Sequence, residues 1–463
     1  MQNAPVLGSR EEKKKFYSRT ARITAPIVLQ NFMDTAVGSA DVVMLSFVSQ
    51  TALAASSLAG QVMFVLQMLM FGVSSGASVL AAQYWGKGDR RTVEKVMGLS
   101  LRVSLMVGAL FTLAAAIAPG LIMRIFSSDE ALIADGVKYL RAVCASYVLG
   151  SFTTVYLSVM RSVERVRVSA ILHCCTVVLN VLLNACFIFG FGPFPKLGIT
   201  GVALATSVSR FVEAGICLID TSRCTVIRLH IQDLFARGGQ LMKDFFRFSV
   251  PAAANDMIWG LAFSVYSIIL GHLSSDIVAA NSVAGVVRNL GTVVCFGVSS
   301  SAAIILGKEM GDNRLDEAKA HAGRFFGLSI WTALAGSVVI LLCRPLVMQF
   351  AHLYIQEVTP KVLEELNIML YINSYYILGG SINTMLICGI FRAGGDVKFG
   401  LKCDSIAMWV YAVPVGLLCA FVLKLPEMWV YFILCLDEFV KMPVVIHHYR
   451  KGTWLKNITR DNL

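Results

Sequence analysis

Charged residues are scarce in this chain. They make up 15% of its 463 residues, and 56% of the residues are hydrophobic, whereas an ordinary soluble domain has about 25% charged and roughly 45–50% apolar residues. No charged residue lies between Asp41 and Lys87. Because about 20 apolar residues in a helix cross the core of a bilayer, this composition excludes a soluble domain and indicates an integral membrane protein in contact with lipid.

Motifs of ATP-driven, hydrolytic and metal chemistry are also missing. The sequence has no G-x-x-x-x-G-K-[ST] loop, no H-E-x-x-H and no C-x-x-C among its 12 cysteines, which are the usual signatures of such sites. Most cysteines lie in apolar stretches, and we interpret them, like the G72-V-S-S-G76 motif, as packing residues. We therefore expect a protein that is not an enzyme and holds no cofactor and no metal centre.

Long uncharged stretches predict an all-α integral membrane protein with twelve transmembrane helices. Arg210 and Glu213 interrupt the sixth predicted span, and Asp437, Glu438 and Lys441 interrupt the twelfth. The predicted spans are, in order, 22–47, 53–84, 98–122, 132–156, 167–190, 198–221, 247–270, 278–306, 325–346, 366–390, 400–423 and 427–449.

The positive charge of the chain is unevenly placed. Its formal net charge is +11 at pH 7, a value also seen in nucleic-acid-binding proteins. When residues near the ends of spans are counted with the adjoining loop, 30 of the 40 lysines and arginines fall in the two tails and the even-numbered loops, and seven fall in the odd-numbered loops. Basic residues collect on the cytoplasmic side of membrane proteins. We therefore predict a multi-pass protein of the cell (inner) membrane with both termini in the cytoplasm and no nucleic-acid partner.

The two halves of the chain repeat each other. Residues 26–86 and 251–311 match without gaps at an offset of 225, with 17 identities in 61 positions. This match indicates an internal duplication, and because each half holds six spans, both halves enter the membrane in the same orientation. We predict two six-helix lobes in a parallel repeat, an N-lobe at 1–221 and a C-lobe at 247–463, joined by a basic cytoplasmic linker at 222–246.

Polar residues form a stripe on the first predicted helix. Gln30, Asp34 and Asp41 are separated by four and seven residues, which places them on one face. An ionised aspartate at the centre of a membrane helix costs roughly 2.5–3.5 kcal/mol, so such groups usually face a bundle interior or a water-filled cavity. We interpret Asp41 as an ion-coupling residue. For Asp34, coupling, a hydrogen bond to a neighbouring helix and exposure to an extracellular vestibule all remain open.

Further polar residues lie in later spans. Asn180 and Asn184 share a face of the fifth helix, and we group them with Asp34 and Asp41 as ion-coupling candidates, although asparagines also join helices by ordinary hydrogen bonds. In the second half Asn255 aligns with Gln30 of the first. The candidate residues of a substrate cavity are Gln30, Met33, Asn255, Asp256, Arg288 and Asn383.

The remaining intramembrane charges have a simpler interpretation. Lys441 lies three residues after Glu438 and four after Asp437, so the spacing predicts an internal ion pair. Asp404 opens the eleventh span near the cytoplasm, where a position at the membrane interface and a part in transport are both open.

Several motifs together resemble the MATE (multidrug and toxic compound extrusion) transporters. They are Pro26 with Gln30, A-D-V-V-M around Asp41, A-Q-Y-W-G-K-G-D at 82–89, N-V-L-L-N followed by G-F-G-P-F-P-K-L-G-I-T-G-V-A-L-A-T between 180 and 206, and F-R-A-G-G-D at 391–396. The motifs occur in the family's order along nearly the whole chain.

This resemblance implies two lobes around a central cavity and an antiporter that exports organic cations or amphipathic compounds in exchange for protons or sodium ions. It also implies a coupling role for Asp41 with Asn180 as its partner. Family members with a well-defined ion site have an aspartate where this chain has Asn184. The sodium-coupled branch also has acidic residues at the positions of Trp259 and Ser381, so we favour protons and keep Na+ as the alternative coupling ion.

Other functions remain as alternatives. A flippase for lipid-linked oligosaccharides has the same general architecture, but we expect it to line its cavity with several basic residues. When residues towards the ends of spans are assigned to the loops, as above, only Arg210, Arg288 and Lys441 remain within the spans. A channel would need a continuous polar pore. The expected partners are membrane lipid, small-molecule substrates and H+ or Na+, and we expect a monomer.

Overall fold

The structure is a computed structural model that describes residues 9–46, 49–190, 194–235, 239–354 and 359–461. Within these ranges the side chains of residues 38–43, 46, 50, 353 and 354 are not described. The α-helices, α1 to α16 in chain order, are Arg10–Ser46, Gln50–Lys87, Arg90–Ile117, Pro119–Phe126, Glu130–Ser162, Val166–Phe189, Ile199–Arg223, Ile231–Phe235, Gly239–Gly271, Ser275–Gly311, Leu315–Tyr354, Pro360–Thr384, Val397–Ser405, Val413–Leu417, Glu427–Leu434 and Asp437–Lys451.

The predicted all-α membrane class is confirmed, and each predicted span corresponds to one or more of these helices. In the described residues ten helical segments are long and apolar enough to cross a membrane. The first predicted span, in α1, and the twelfth, divided between α15 and α16, are not among these ten. The twelfth is interrupted at Cys435 and Leu436, directly before the acidic first turn of α16, which carries Asp437 and Glu438.

Three π-helical segments interrupt the tenth and eleventh spans, at Met385–Phe391, Ile406–Ala412 and Leu418–Val422. A π-turn inserts an extra residue and rotates the following helical face, and such turns often occur at functional sites. The first segment ends directly before Arg392, and the second begins two residues after Asp404. Both side chains form ion pairs with other helices of the same half.

The chain divides into two compact units. One, here called the C-unit, contains Met1–Val28 and Ala254–Ile458, and the other, the N-unit, contains Leu29–Ala253 and Thr459–Leu463. These boundaries differ from the predicted lobes and linker, because α1 and α9 each pass from one unit into the other. The two crossing points, after residues 28 and 253, are separated by 225 residues, which is the offset of the sequence repeat.

Two glycines related by the repeat contact α1 and α9 at the points where these helices cross between the units. In the N-unit, a Cβ atom added to Gly72 of α2 would overlap the backbone of Ala253 in α9, and in the C-unit a Cβ atom added to Gly297 of α10 would overlap the side chain of Val28 in α1. The two contacts correspond through the offset of 225, which relates Gly72 to Gly297 and Val28 to Ala253. The predicted packing role of the motif that begins at Gly72 is confirmed.

A second contact repeats one turn away. Thr24 of α1 donates a hydrogen bond of 2.8 Å to Ser301 of α10 in the C-unit. The repeat-related pair in the N-unit is Ser249 of α9 and Gly76 of α2, and a Cβ atom at Gly76 would overlap the Ser249 hydroxyl. The duplicated halves therefore share helix packing at atomic contacts as well as sequence.

The predicted linker is largely helical. It contains α8 and the first residues of α9. Asp233 of α8 is buried, and both of its carboxylate oxygens accept hydrogen bonds from the Arg91 guanidinium of α3, at 2.7 and 2.8 Å. This bidentate pair fixes α8 against α3 within the N-unit.

We predict that Gly72→Ala destabilises the protein by about 1–3 kcal/mol, as expected for an added methyl group that collides with backbone. Gly297→Ala should cost less, because the Val28 side chain can rotate away. Melting of the purified variants in detergent, followed by circular dichroism, measures both effects. Gly60→Ala on α2 and Gly285→Ala on α10 are matched controls with open space around the added atom. Equal melting temperatures for Gly72→Ala and Gly60→Ala would contradict the packing role.

Candidate functional site

Three helices of the N-unit place a histidine between two carboxylates. His173 of α6 has its Nε2 atom 2.6 Å from an oxygen of Asp34 in α1 and its Nδ1 atom 2.9 Å from an oxygen of Glu213 in α7. The side chain of Asp34 is 52% exposed, that of His173 is 9% exposed and that of Glu213 is fully buried. The chain of contacts therefore leads from an accessible carboxylate to an enclosed one.

The inner carboxylate has all the partners that burial requires. Glu213 accepts a hydrogen bond of 2.7 Å from Arg210 one turn earlier on α7. It also accepts hydrogen bonds from the hydroxyls of Thr153 in α5 at 2.9 Å and Thr176 in α6 at 3.2 Å. A buried charge is strongly unfavourable unless it is paired and hydrogen-bonded, so these contacts hold Glu213 in its ionised form beside His173.

The two hydrogen bonds of His173 require two protons. A neutral imidazole has one N–H and donates to one acceptor only. Because Glu213 is held as a carboxylate, either the ring is an imidazolium between two carboxylates, or the ring is neutral and Asp34 carries the second proton. Loss of one proton removes one of the two hydrogen bonds, so proton binding at this site is linked to contacts between helices α1, α6 and α7.

The other ion-coupling and cavity candidates of the first half lie on α1 and α6. The side chain of Asp41 falls outside the described residues, although its backbone is part of α1. Asn184 is buried and donates to Asn180, which donates to Thr206 of α7, both at 3.4 Å. Met33 of α1 is half-buried.

Gln30 of α1 contacts α5. Its side chain is buried, and its carbonyl oxygen accepts a hydrogen bond of 3.2 Å from Arg161 of α5. Gln30 and Asp34, one turn apart on α1, thus contact α5 and α6 respectively. The polar face predicted for the first helix is real, but its partners were not evident from the sequence.

Sequence reasoning did not select His173, Arg210 and Glu213 as candidate functional residues. Arg210 and Glu213 count only as interruptions of the sixth span in the sequence, yet their spacing of three is that of an ion pair on one helix face. An intramembrane ion pair is itself a signal of function. His173 lies in the otherwise apolar fifth span and contacts Glu213 of this pair, so a titratable side chain in that span was the remaining signal.

In the C-unit a buried lysine joins two carboxylates. Lys441 lies 2.8 Å from Glu438, as the spacing predicts, and 2.7 Å from Asp404 of α13. Asp404 does not extend to the protein surface, because the residue is 3% exposed and pairs with the buried Lys441. Asp437 instead accepts hydrogen bonds from the Tyr266 hydroxyl and the Glu438 backbone N–H, at 3.4 and 2.8 Å.

The remaining cavity candidates divide into enclosed and open positions. Asn383 is buried and donates to both the backbone and the side chain of Glu438, at 2.6 and 2.8 Å, and Asn255 is also buried. Asp256 accepts a hydrogen bond of 3.1 Å from Arg392. Arg288 lines a partly open cavity of about 440 Å³ that is formed by residues of the C-unit.

A protein-family model and several curated relatives match most of this chain. A family model described as MatE matches residues 26–186 and 251–418. The chain is 20% identical to an uncharacterized transporter, YisQ, of Bacillus subtilis over 439 residues, which cover 94% of each protein. It is 22% identical to a probable multidrug resistance protein NorM of Thermotoga maritima over 458 residues, which cover 98% of this chain and 97% of the relative.

Solved structures share the fold. A MATE crystal structure in complex with MaL6 matches with a TM-score of 0.86 and 19% identity, and a MOP superfamily transporter from Pyrococcus furiosus matches with a TM-score of 0.84 and 19% identity. Each alignment covers 94% of this chain and 95% of the other.

We predict that Lys441→Met destabilises the protein by roughly 3–5 kcal/mol, because it leaves Asp404 and Glu438 buried without their cation. Thermal melting in detergent measures the loss. Lys319→Met, at an exposed position of α11, is the matched control and should melt like the native protein. Combining Lys441→Met with Asp404→Asn and Glu438→Gln should recover much of the lost stability. A native melting temperature for Lys441→Met alone would refute the pairing.

Proposed function

This chain belongs to the MatE family, and from that premise we propose that it is a secondary active exporter of organic cations or amphipathic compounds. The relatives named as multidrug resistance proteins support export of more than one compound. Ten helical segments in the described residues that can cross a membrane agree with a multi-pass transporter. The energy for export would come from a gradient of protons or sodium ions, with protons favoured.

The contact of His173 with Asp34 and Glu213 is the observation that carries the preference for protons. A histidine nitrogen that donates to a carboxylate binds and releases protons, whereas sodium requires a cage of oxygen ligands. The outer member of these contacts is Asp34, whose side chain is half exposed. A proton that arrives at this carboxylate can be stabilised by, or passed to, the His173 ring.

Coupling would follow from competition at the accessible carboxylates. When Asp34 and Asp41 are ionised, they attract a cationic substrate, and when a proton neutralises one of them, that attraction is lost. An ion drives a conformational change only through different affinities for the two states. We retain Asp41 as the principal coupling residue, with Asn180 and Asn184 as its partners in the fifth span. We assign proton binding to the contacts that link Asp34, His173 and Glu213, of which Asp34 is on the same helix as Asp41.

The arrangement in the membrane belongs to the same proposal. The distribution of basic residues favours both termini in the cytoplasm, so export would proceed from the side that holds the tails. We propose a monomer that needs no cofactor other than the coupling ion, H+ or alternatively Na+. No nucleic-acid partner is proposed.

We predict that His173→Gln abolishes proton-driven efflux of ethidium from proteoliposomes, because glutamine keeps a hydrogen-bonding side chain but cannot bind the second proton. Asp41→Asn should have the same effect. Efflux is measured by fluorescence under an imposed pH gradient and, separately, under a sodium gradient. His272→Gln, which replaces an exposed histidine at the end of α9, is the matched control and should transport normally.

Three outcomes would argue against parts of this proposal. If proton-driven efflux is unchanged in His173→Gln, the contacts that link Asp34, His173 and Glu213 have no part in coupling. Efflux that follows the sodium gradient alone would replace the proton by Na+. Absence of ethidium efflux under either gradient would refute the export of organic cations and favour the flippase.

A further inference from the structure

The C-unit contains a cavity whose walls combine aromatic rings with one cation. Its volume is about 440 Å³ when the space at its open side is included. The lining side chains that bear on the choice of ligand are Phe263, Tyr266, Tyr376 and Tyr431, the amide of Asn281 and the guanidinium of Arg288. Aromatic walls with a few polar groups are typical of sites that bind amphipathic organic molecules.

Arg288 lacks an acidic partner of its own. Among the residues that the structure describes, no carboxylate oxygen lies within the 4.0 Å distance of an ion pair from its guanidinium. The cation instead lies over the rings of Phe263 and Tyr376, 5.5 and 5.8 Å from their centres. Arg288 is 13 residues beyond the first residue of α10, about 20 Å along the helix, which places it deep in the membrane span.

The repeat shows that helix packing does not require this cation. The position related to Arg288 by the offset of 225 is Met63 in α2, an uncharged residue. A charge at membrane depth is unfavourable and usually marks a site for a substrate, an ion or a counter-charge. Arg288 is therefore a feature of the second half alone.

The acidic residues of α13 and of the first turn of α16 already have partners. Lys441 balances Asp404 and Glu438. The third acid, Asp437, is fully buried and accepts its hydrogen bonds from Tyr266 and from the backbone of Glu438. The hydroxyl of Tyr266, a cavity-lining residue, thus donates to Asp437. No described side chain or backbone group accepts a hydrogen bond from the guanidinium of Arg288, which has five N–H donors.

We propose that this cavity binds amphipathic organic anions, aromatic carboxylates in particular, with the carboxylate on Arg288. Arginine binds a carboxylate through two parallel hydrogen bonds. Asn281, seven residues earlier on the same face of α10, supplies an amide donor, and the rings of Phe263, Tyr376 and Tyr431 contact the apolar part. The inference deepens the proposed export function by adding a substrate class, and it rests on that function only for the export of the bound compound.

Binding to the purified protein tests this site directly. The probes are 2-naphthoate and its uncharged counterpart 2-naphthamide, titrated by calorimetry against protein in nanodiscs of phosphatidylcholine. Wild-type protein should bind the carboxylate more tightly than the amide. Arg288→Gln should weaken naphthoate binding by about 10- to 100-fold, the effect of losing a charge-assisted hydrogen bond, and should leave naphthamide binding unchanged.

Two variants keep the test sharp if Arg288→Gln is unstable. Arg288→Lys keeps the charge but loses the two parallel hydrogen bonds, so it should bind naphthoate more weakly than wild type and more tightly than Arg288→Gln. Arg344→Gln is the matched control, since Arg344 also lies over a tyrosine ring, that of Tyr371, but does not line the cavity. It should bind naphthoate like the native protein.

Several results would overturn the proposal. One is no preference for naphthoate over naphthamide in the wild type, and another is naphthoate binding that Arg288→Gln leaves unchanged. A third result concerns the double variant that combines Arg288→Gln with Asp437→Asn. If it regains the melting temperature that Arg288→Gln alone loses and also binds naphthoate like the native protein, Arg288 is a counter-charge of Asp437 and not a ligand-binding residue.

A lipid headgroup offers the same negative charge as the probe. Adding phosphatidylglycerol to the nanodiscs should leave naphthoate affinity unchanged if the site takes a small organic anion. Competitive loss of binding would identify lipid phosphate as the occupant and refute the proposal. Because no gradient is applied, these titrations succeed or fail independently of ethidium efflux, so failure of export and failure of the anion site give different results.

Discussion

The hydrogen bonds from His173 to Asp34 and Glu213 join three helices of the N-unit through groups that each bind or release a proton. In a largely apolar bundle such groups are retained only with partners, and the partners here are other titratable side chains. Arg210 balances the inner carboxylate, and the outer one is accessible. A change of protonation at Asp34 therefore alters the contacts of α1 as well as the charge offered to a substrate.

The duplicated halves solve the problem of buried charge in related ways. Glu213 and Glu438 are separated by 225 residues, the offset of the repeat, and both are buried. Each pairs with a base three residues away, Arg210 before the first and Lys441 after the second. The first half continues this pair to an accessible aspartate through His173.

The second half extends its pair differently. Lys441 leads to the enclosed carboxylate of Asp404. No histidine takes part in that cluster among the described residues. The C-unit places its accessible charge on Arg288 instead, beside a cavity. The N-unit is thus the candidate for coupling to protons, and the C-unit offers a site for a ligand of opposite charge.

Much of the architecture could be predicted from the sequence, because it follows from features with a fixed period. Uncharged runs predict the spans, the offset of 225 predicts the duplication, and the G72-V-S-S-G76 motif predicts close helix packing. The first part of α1 belongs to the C-unit and the first part of α9 belongs to the N-unit. This arrangement could not be predicted, since the repeat alone does not say against which half each helix packs.

Only local pairs of the candidate sites could be predicted. The Glu438–Lys441 pair follows from a spacing of three residues, and the Arg210–Glu213 pair has the same signal. The contact of Asp34 with His173 joins residues 139 apart, and that of Asp404 with Lys441 joins residues 37 apart on different helices. Such contacts depend on how whole helices rotate and pack, which the order of residues along one helix does not reveal.

The most direct test of the central claim is the number of protons released when a cationic substrate binds. Purified protein in weakly buffered solution would be titrated with ethidium while a pH indicator follows released protons. If substrate and proton compete at the accessible carboxylates, wild-type protein releases about one proton per ethidium bound at a pH where the site is protonated, and His173→Gln releases fewer. Binding of ethidium by the wild type without proton release would contradict the account.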